Sequence, residues 1–153
     1  MTTFSTTSAI LAAASAAARL PGPDATRTAY ARAMTRRLVV KVTCGPDRPE
    51  ALSQALTVAA TAVASGVDVS LWLTGEAVWL AVPGRVPDLG LDHAAPLADL
   101  VAAVLAAGST TVCTQCAARR GLVQDDLAAG VRIAGAATFV EESLADGAQA
   151  LVY

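Results

Sequence analysis

The chain is poor in chemistry-bearing side chains, with one histidine and three cysteines among its 153 residues. No Walker loop, no GxGxxG and no Ser/His/Asp arrangement is present, so phosphoryl transfer and dinucleotide binding lack support. Basic residues are no commoner than acidic ones, 11 Lys and Arg against 13 Asp and Glu, which leaves no electrostatic footprint for a nucleic-acid backbone. Two Phe, two Tyr and two Trp offer few platforms for base stacking. Long apolar runs are missing too. Residues 9–18 are apolar but short, alanine-rich and interrupted by Ser15, neither a transmembrane span nor a signal core. Three cysteines at irregular spacing form no disulfide framework, and reduced thiols point to the cytoplasm as the expected compartment.

What the chain has in excess is small apolar side chains. Its hydrophobic fraction is 54% and its charged fraction 16%, against the usual ~45–50% and ~25%. Alanine explains part of this, and burial between subunits is the second explanation, so an oligomer is expected. The length suits one domain with a core that needs no disulfide staples.

Residues 1–36 read as a helical appendage, punctuated by Pro21-Gly22-Pro23. From residue 37 to 153 the pattern becomes regular. The β-branched run Leu38-Val39-Val40-Lys41-Val42-Thr43-Cys44 predicts a first strand, ending at Gly45-Pro46. Asp47 is placed to cap a helix in which Leu52, Ala55, Leu56, Ala59 and Val63 recur at helical spacing and which Gly66 stops. Residues 67–73 alternate as a second strand, and Thr74-Gly75 opens a short helix. Residues 83–96 hold three prolines, two glycines and His93, a loop longer than the usual ~4–6 residues. A helix from Pro96 to Gly108, a strand over 109–113, a turn at Asp125, a short strand over 131–133, a helix over 135–145 and a strand from Ala148 complete the pattern. Strands alternating with helices at this spacing predict a three-layer α/β/α fold on a mainly parallel five-stranded sheet. Ligands of such sheets gather beyond the carboxyl ends of the strands, where Cys44 and Cys113 both fall.

The segment Val112-Cys113-Thr114-Gln115-Cys116 joins an apolar strand to a helix start, a setting in which unpaired backbone N–H groups favour thiolate over thiol. Cys113 is the candidate nucleophile. Cys116, the second catalytic candidate, sits one turn later, where it either faces Cys113 and resolves an oxidised intermediate or packs, and small buried cysteines at strand ends are also common. Thioredoxin-like exchange uses the same spacing, although its CxxC follows the first βα unit. Half of a zinc site uses it as well, and would need Cys44 and His93 to join. Gly45, Thr74, Glu76 and Arg119 are candidate residues for a pocket at this edge, Arg119 as a positive charge near the sulfur. Glu76 reads equally well as an acid favoured by a helix start, and His93 as a loop residue. No metal or organic cofactor is expected.

Residues 38–153 resemble the DsrE/DsrF-like family of small sulfur-relay proteins, in its DsrE- and TusD-like branch. The resemblance rests on Cys44-Gly45-Pro46-Asp47, on Leu73-Thr74-Gly75-Glu76-Ala77-Val78-Trp79-Leu80, on Cys113-x-x-Cys116-Ala117-x-Arg119-x-Gly121-Leu122, and on Gly130-Val131-x-Ile133-Ala134-Gly135-Ala136. It implies an α/β fold, assembly as a trimer or hexamer, and a cysteine that accepts sulfane sulfur as a persulfide from a donor protein and passes it to an acceptor. The matching position is Cys113, with Cys116 shared by only some branches. The appendage at residues 1–36 departs from the family pattern. The expected function is thus that of a cytoplasmic sulfur carrier or sulfurtransferase-like protein. The alternative is a non-catalytic oligomeric module that uses the same strand-edge pocket for a small ligand or protein partner.

Overall fold

The computed structural model describes residues 36–153. The appendage expected over residues 1–36 lies outside the described residues, Arg36 excepted.

Strand β1, Arg37–Val42, is a valine-rich run, and Val39, Val40 and Val42 are fully buried. Helix α1, Pro49–Ala64, begins without a side-chain cap, because Pro49 supplies the helical φ itself at the first turn. Asp47, expected as the cap, instead accepts the Gly45 N–H at 3.1 Å and shapes the turn before the helix. Leu52, Ala55, Leu56 and Ala59 form the buried stripe of α1. Gly66, at φ 76°, turns the chain out of the helix.

Strand β2, Asp68–Leu73, leads into a 3₁₀ helix at Gly75–Ala81. The long loop then runs to α2, Leu97–Ala107, with Pro96 at its N-cap, and to β3, Ser109–Cys113. Helix α3, Thr114–Arg119, follows at once, and a single 3₁₀ turn at Gln124–Asp126 precedes β4, Arg132–Ala134. Helix α4, Ala136–Ser143, and β5, Ala148–Val152, complete the described chain.

The five strands form one sheet in the order β4-β3-β2-β1-β5, with every pairing parallel. The crossovers from β1 through β4 step in one direction, and the last steps back over three strands to the far edge. Right-handed crossovers therefore put α1, α2 and α3 on one face and α4 on the other. The packing agrees. Val40, Val42, Val69, Leu71, Leu73 and Val112 pack with α1, α2 and α3 into the main core, whereas Trp72 points to the opposite face, beneath Phe139 and Glu142 of α4. The result is the expected three-layer α/β fold.

Among the described residues, no helix is long and apolar enough to cross a membrane. Val140 on α4, Leu144 at its C-cap, and Leu151 and Val152 on the edge strand β5 remain exposed.

Candidate functional site

In an open parallel sheet a crevice forms where neighbouring strands send their following connections to opposite faces. Here that point lies between β3, which leads to α3, and β4, which leads to α4. A cleft of about 300 Å³ opens there, lined by Lys41, Trp72, Thr74, Cys113, Thr114, Gln115, Gly135, Ala136 and Phe139. Its residues come from the carboxyl ends of β1, β2, β3 and β4 and from the start and middle of α4. The strand register explains why they meet. Lys41 pairs with Trp72 and Trp72 with Thr111, while Cys113, two residues beyond Thr111, pairs with Ala134.

Cys113 is the last residue of β3 and the N-cap of α3, and it is half-buried. A six-residue helix has little macrodipole, so the sulfur's electrostatics depend on the nearest groups. Burial raises the thiol pKa; the backbone N–H of Cys116, its side chain, the backbone N–H of Gln115 and the charge of Lys41 outweigh that and lower it. Cys113 is thus biased toward the thiolate. Lys41 is held with its Nζ 4.6 Å from the centre of the Phe139 ring, a cation–π contact at the cleft wall.

The floor of the cleft is braced from beneath. Trp72 and Phe139 meet edge to face with centroids 5.4 Å apart, and the Trp72 indole donates to Glu142 at 2.9 Å. Ser70 Oγ donates to the same carboxylate oxygen at 2.5 Å, and Arg132 donates to the other. Arg132 Nε also donates to Thr111 Oγ1 at 2.9 Å. Burial by itself raises the Glu142 pKa, but the donors Ser70, Trp72 and Arg132 win, and the carboxyl is held below its ordinary range.

Cys116 lies behind Cys113, buried, with its Sγ accepting the Gly75 N–H at 3.2 Å. Gly75 adopts φ 57°, and a Cβ there would sit 2.7 Å from the Thr43 carbonyl oxygen, so the close approach requires glycine. Arg120 fixes the next turn. It donates to the Cys116 carbonyl at 3.1 Å and to Glu76 Oε1 at 2.5 Å, tying α3 to the 3₁₀ helix.

Of the residues singled out in the sequence, Thr74 lines the cleft beside Cys113, and its hydroxyl donates to the Val42 carbonyl at 2.9 Å. Gly45 and Glu76 line a separate cleft of about 280 Å³ together with Trp79 and Arg85, and Gly45 packs directly on the Glu76 side chain. Cys44 is buried in the main core, away from the residues around Cys113. Arg119 is exposed, and the neighbouring Arg120 makes the contacts. His93 is exposed on the long loop at φ 61°. Among the described residues, no three His, Cys, Asp or Glu side chains are grouped to hold a metal ion.

Sequence reasoning missed Lys41, Trp72, Phe139 and Glu142. Lys41 carried a signal, a lone charge inside an otherwise apolar strand. Glu142 carried none, since beside Glu141 it looks like any solvated helix acid.

Known structures share this architecture. The YchN protein of E. coli superposes with a TM-score of 0.65 at 21% identity, over 77% of this chain and 99% of that one. MTH1491 of Methanobacterium thermoautotrophicum, described as a protein of unknown function, gives a TM-score of 0.55 at 13% identity, with the same coverage of 77% and 99%. No curated protein matches the sequence. The model of the DsrE/DsrF-like family matches residues 36–152, nearly all of the described chain, and the protein belongs to that family.

Proposed function

We propose that the protein is a sulfur carrier or sulfurtransferase-like protein that accepts sulfane sulfur on Cys113 as a persulfide and passes it on. One observation carries the reading. Cys113 borders a cleft of small-molecule size while two backbone N–H groups, the Cys116 side chain and Lys41 bias it toward thiolate. In the loading step the thiolate attacks the outer sulfur of a donor persulfide. The donor's S–S bond breaks, the donor leaves as a thiolate, and Cys113 retains the sulfur. The cation and N–H donors then hold the persulfide anion in the cleft until an acceptor thiol takes its outer sulfur.

Family membership supports sulfur relay as the setting, with a donor and an acceptor protein as partners and the cytoplasm as the compartment. The exposed Val140 on α4, Leu144 just after it and Val152 on β5, which shares the α4 face with Lys41, supply an apolar surface for a homo-oligomer, a trimer or hexamer in this reading. Intact-mass measurement after anaerobic incubation with a sulfane donor tests the chemistry. A one-sulfur adduct is expected on the wild type and not on Cys113→Ser. A folded wild type that shows neither an adduct nor released sulfide, or an adduct that survives the substitution, overturns it.

A further inference from the structure

Sulfur loading on Cys113 leaves the second cysteine of the pair without a part, although its sulfur, at the margin of the core, takes a backbone hydrogen bond. The Cys116 sulfur receives the Gly75 N–H at 3.2 Å, and Cys116 stands three residues beyond Cys113, across the first turn of the helix that Cys113 caps. That amide is delivered by backbone at φ 57°, pressed so closely on the Thr43 carbonyl that no side chain fits. Arg120 holds the Cys116 carbonyl at 3.1 Å, so the turn that carries the thiol is fixed relative to the 3₁₀ helix. Cys44 has no such placement: it lies beyond the end of β1, off the turn that carries Cys113 and Cys116. Cys116 is also absent from the cleft lining, so it meets Cys113 from the protein side and not from the side an acceptor enters.

We propose that Cys116 is a resolving thiol, which discharges sulfur held on Cys113 as sulfide and closes a Cys113–Cys116 disulfide. This rests on Cys113 being the sulfur acceptor. The Cys116 thiolate attacks Cys113 Sγ, the inner sulfur of the persulfide. The bond from Cys113 Sγ to the outer sulfur breaks, and its electron pair leaves with the outer sulfur as hydrosulfide, which takes up the proton given by Cys116. The sulfane sulfur is reduced and the two cysteines are oxidised, so no outside oxidant enters. A dithiol reductant then supplies two electrons to restore the free pair. An acceptor thiol must therefore reach the outer sulfur before Cys116 reaches the inner one. The cysteine pair sets how long the protein can hold its cargo.

The test loads wild type and Cys116→Ser with inorganic polysulfide under anaerobic conditions, removes the donor, and follows intact mass and free sulfide over time. The variant is expected to keep a one-sulfur adduct at least about tenfold longer than the wild type. The wild type is expected to release one equivalent of sulfide, end two hydrogens lighter than the reduced protein, and return to its starting mass with dithiothreitol. Equal adduct lifetimes without sulfide release overturn the role of Cys116 and leave Cys113 loading intact; no adduct on either protein overturns both. A second measurement needs only the wild type. Trypsin separates residues 42–85, which hold Cys44, from residues 86–119, which hold Cys113 and Cys116. The discharged protein is expected to show a disulfide within the second peptide. A disulfide joining the two peptides, or none at all, overturns the proposal.

Discussion

Trp72 donates its indole N–H to the buried carboxylate of Glu142 at 2.9 Å, linking a central strand to the last helix across 70 residues of sequence. Glu142→Ala leaves that N–H and the Ser70 hydroxyl without an acceptor. A loss of about 1–3 kcal/mol is expected for each donor so orphaned, read from the urea midpoint. Glu142→Gln keeps one acceptor oxygen and is expected to lose less.

The same carboxylate makes stability depend on acid. Its pKa is lowered in the folded protein, since its donors outweigh the burial that raises it, so below neutrality the unfolded chain takes up the proton first. The stabilisation is complete above the ordinary glutamate value of about 4.3 and is lost as pH falls through the lowered one. Melting temperatures across the acid range check this: the gap between wild type and Glu142→Gln is expected to be widest near neutrality and to close in acid.

The strands and their parallel order are legible in the sequence to within a residue or two, because β1 and β3 are short β-branched runs and the others short apolar stretches set between helical patterns; β1 stops at Val42, two residues before the expected Cys44. Cys113 is legible for the same reason, as the end of one such run. The cleft around it is not. Lys41, Trp72 and Phe139 meet only through strand register and the return crossover, long-range relations with no local signature. Asp47 shows the limit of a local rule. Its spacing suits a helix cap, yet Pro49 starts the helix without one and the carboxylate turns back to Gly45.

Alkylation of Cys113 by iodoacetamide is expected to have its midpoint below that of an ordinary thiol. The cause is the set of N–H donors, the Cys116 side chain and Lys41, acting against burial. Lys41→Met is expected to move the midpoint upward, and added salt to shrink the difference between the two proteins. An unchanged profile would show that Lys41 contributes nothing to the thiolate.

Gly75→Ala combines a left-handed backbone with a Cβ 2.7 Å from the Thr43 oxygen. Its expected cost exceeds about 1 kcal/mol. Because the strain loosens the packing over the buried Cys116, alkylation of Cys116 is expected to rise in parallel. A substitution tolerated with no change in either readout would mean that the turn relaxes freely.

The Arg120–Glu76 pair predicts a contrast. Glu76 is 55% exposed at its side chain, so breaking the pair with Glu76→Gln is expected to change stability by less than about 1 kcal/mol. Arg120→Ala also removes the contact to the Cys116 carbonyl and is expected to cost more than Glu76→Gln. Denaturant titration of the two variants compares them directly.

The return crossover has a consequence for synthesis. Lys41 and Cys113 leave the ribosome before Phe139, and the wall that Phe139 adds to the cleft cannot form until α4 has crossed the sheet and docked on Trp72. A nascent chain that has reached Cys116 thus already carries both thiols while the carboxylate that braces the floor is still untranslated. Shielding of the cysteine pair during biosynthesis is left to whatever holds the unfinished chain.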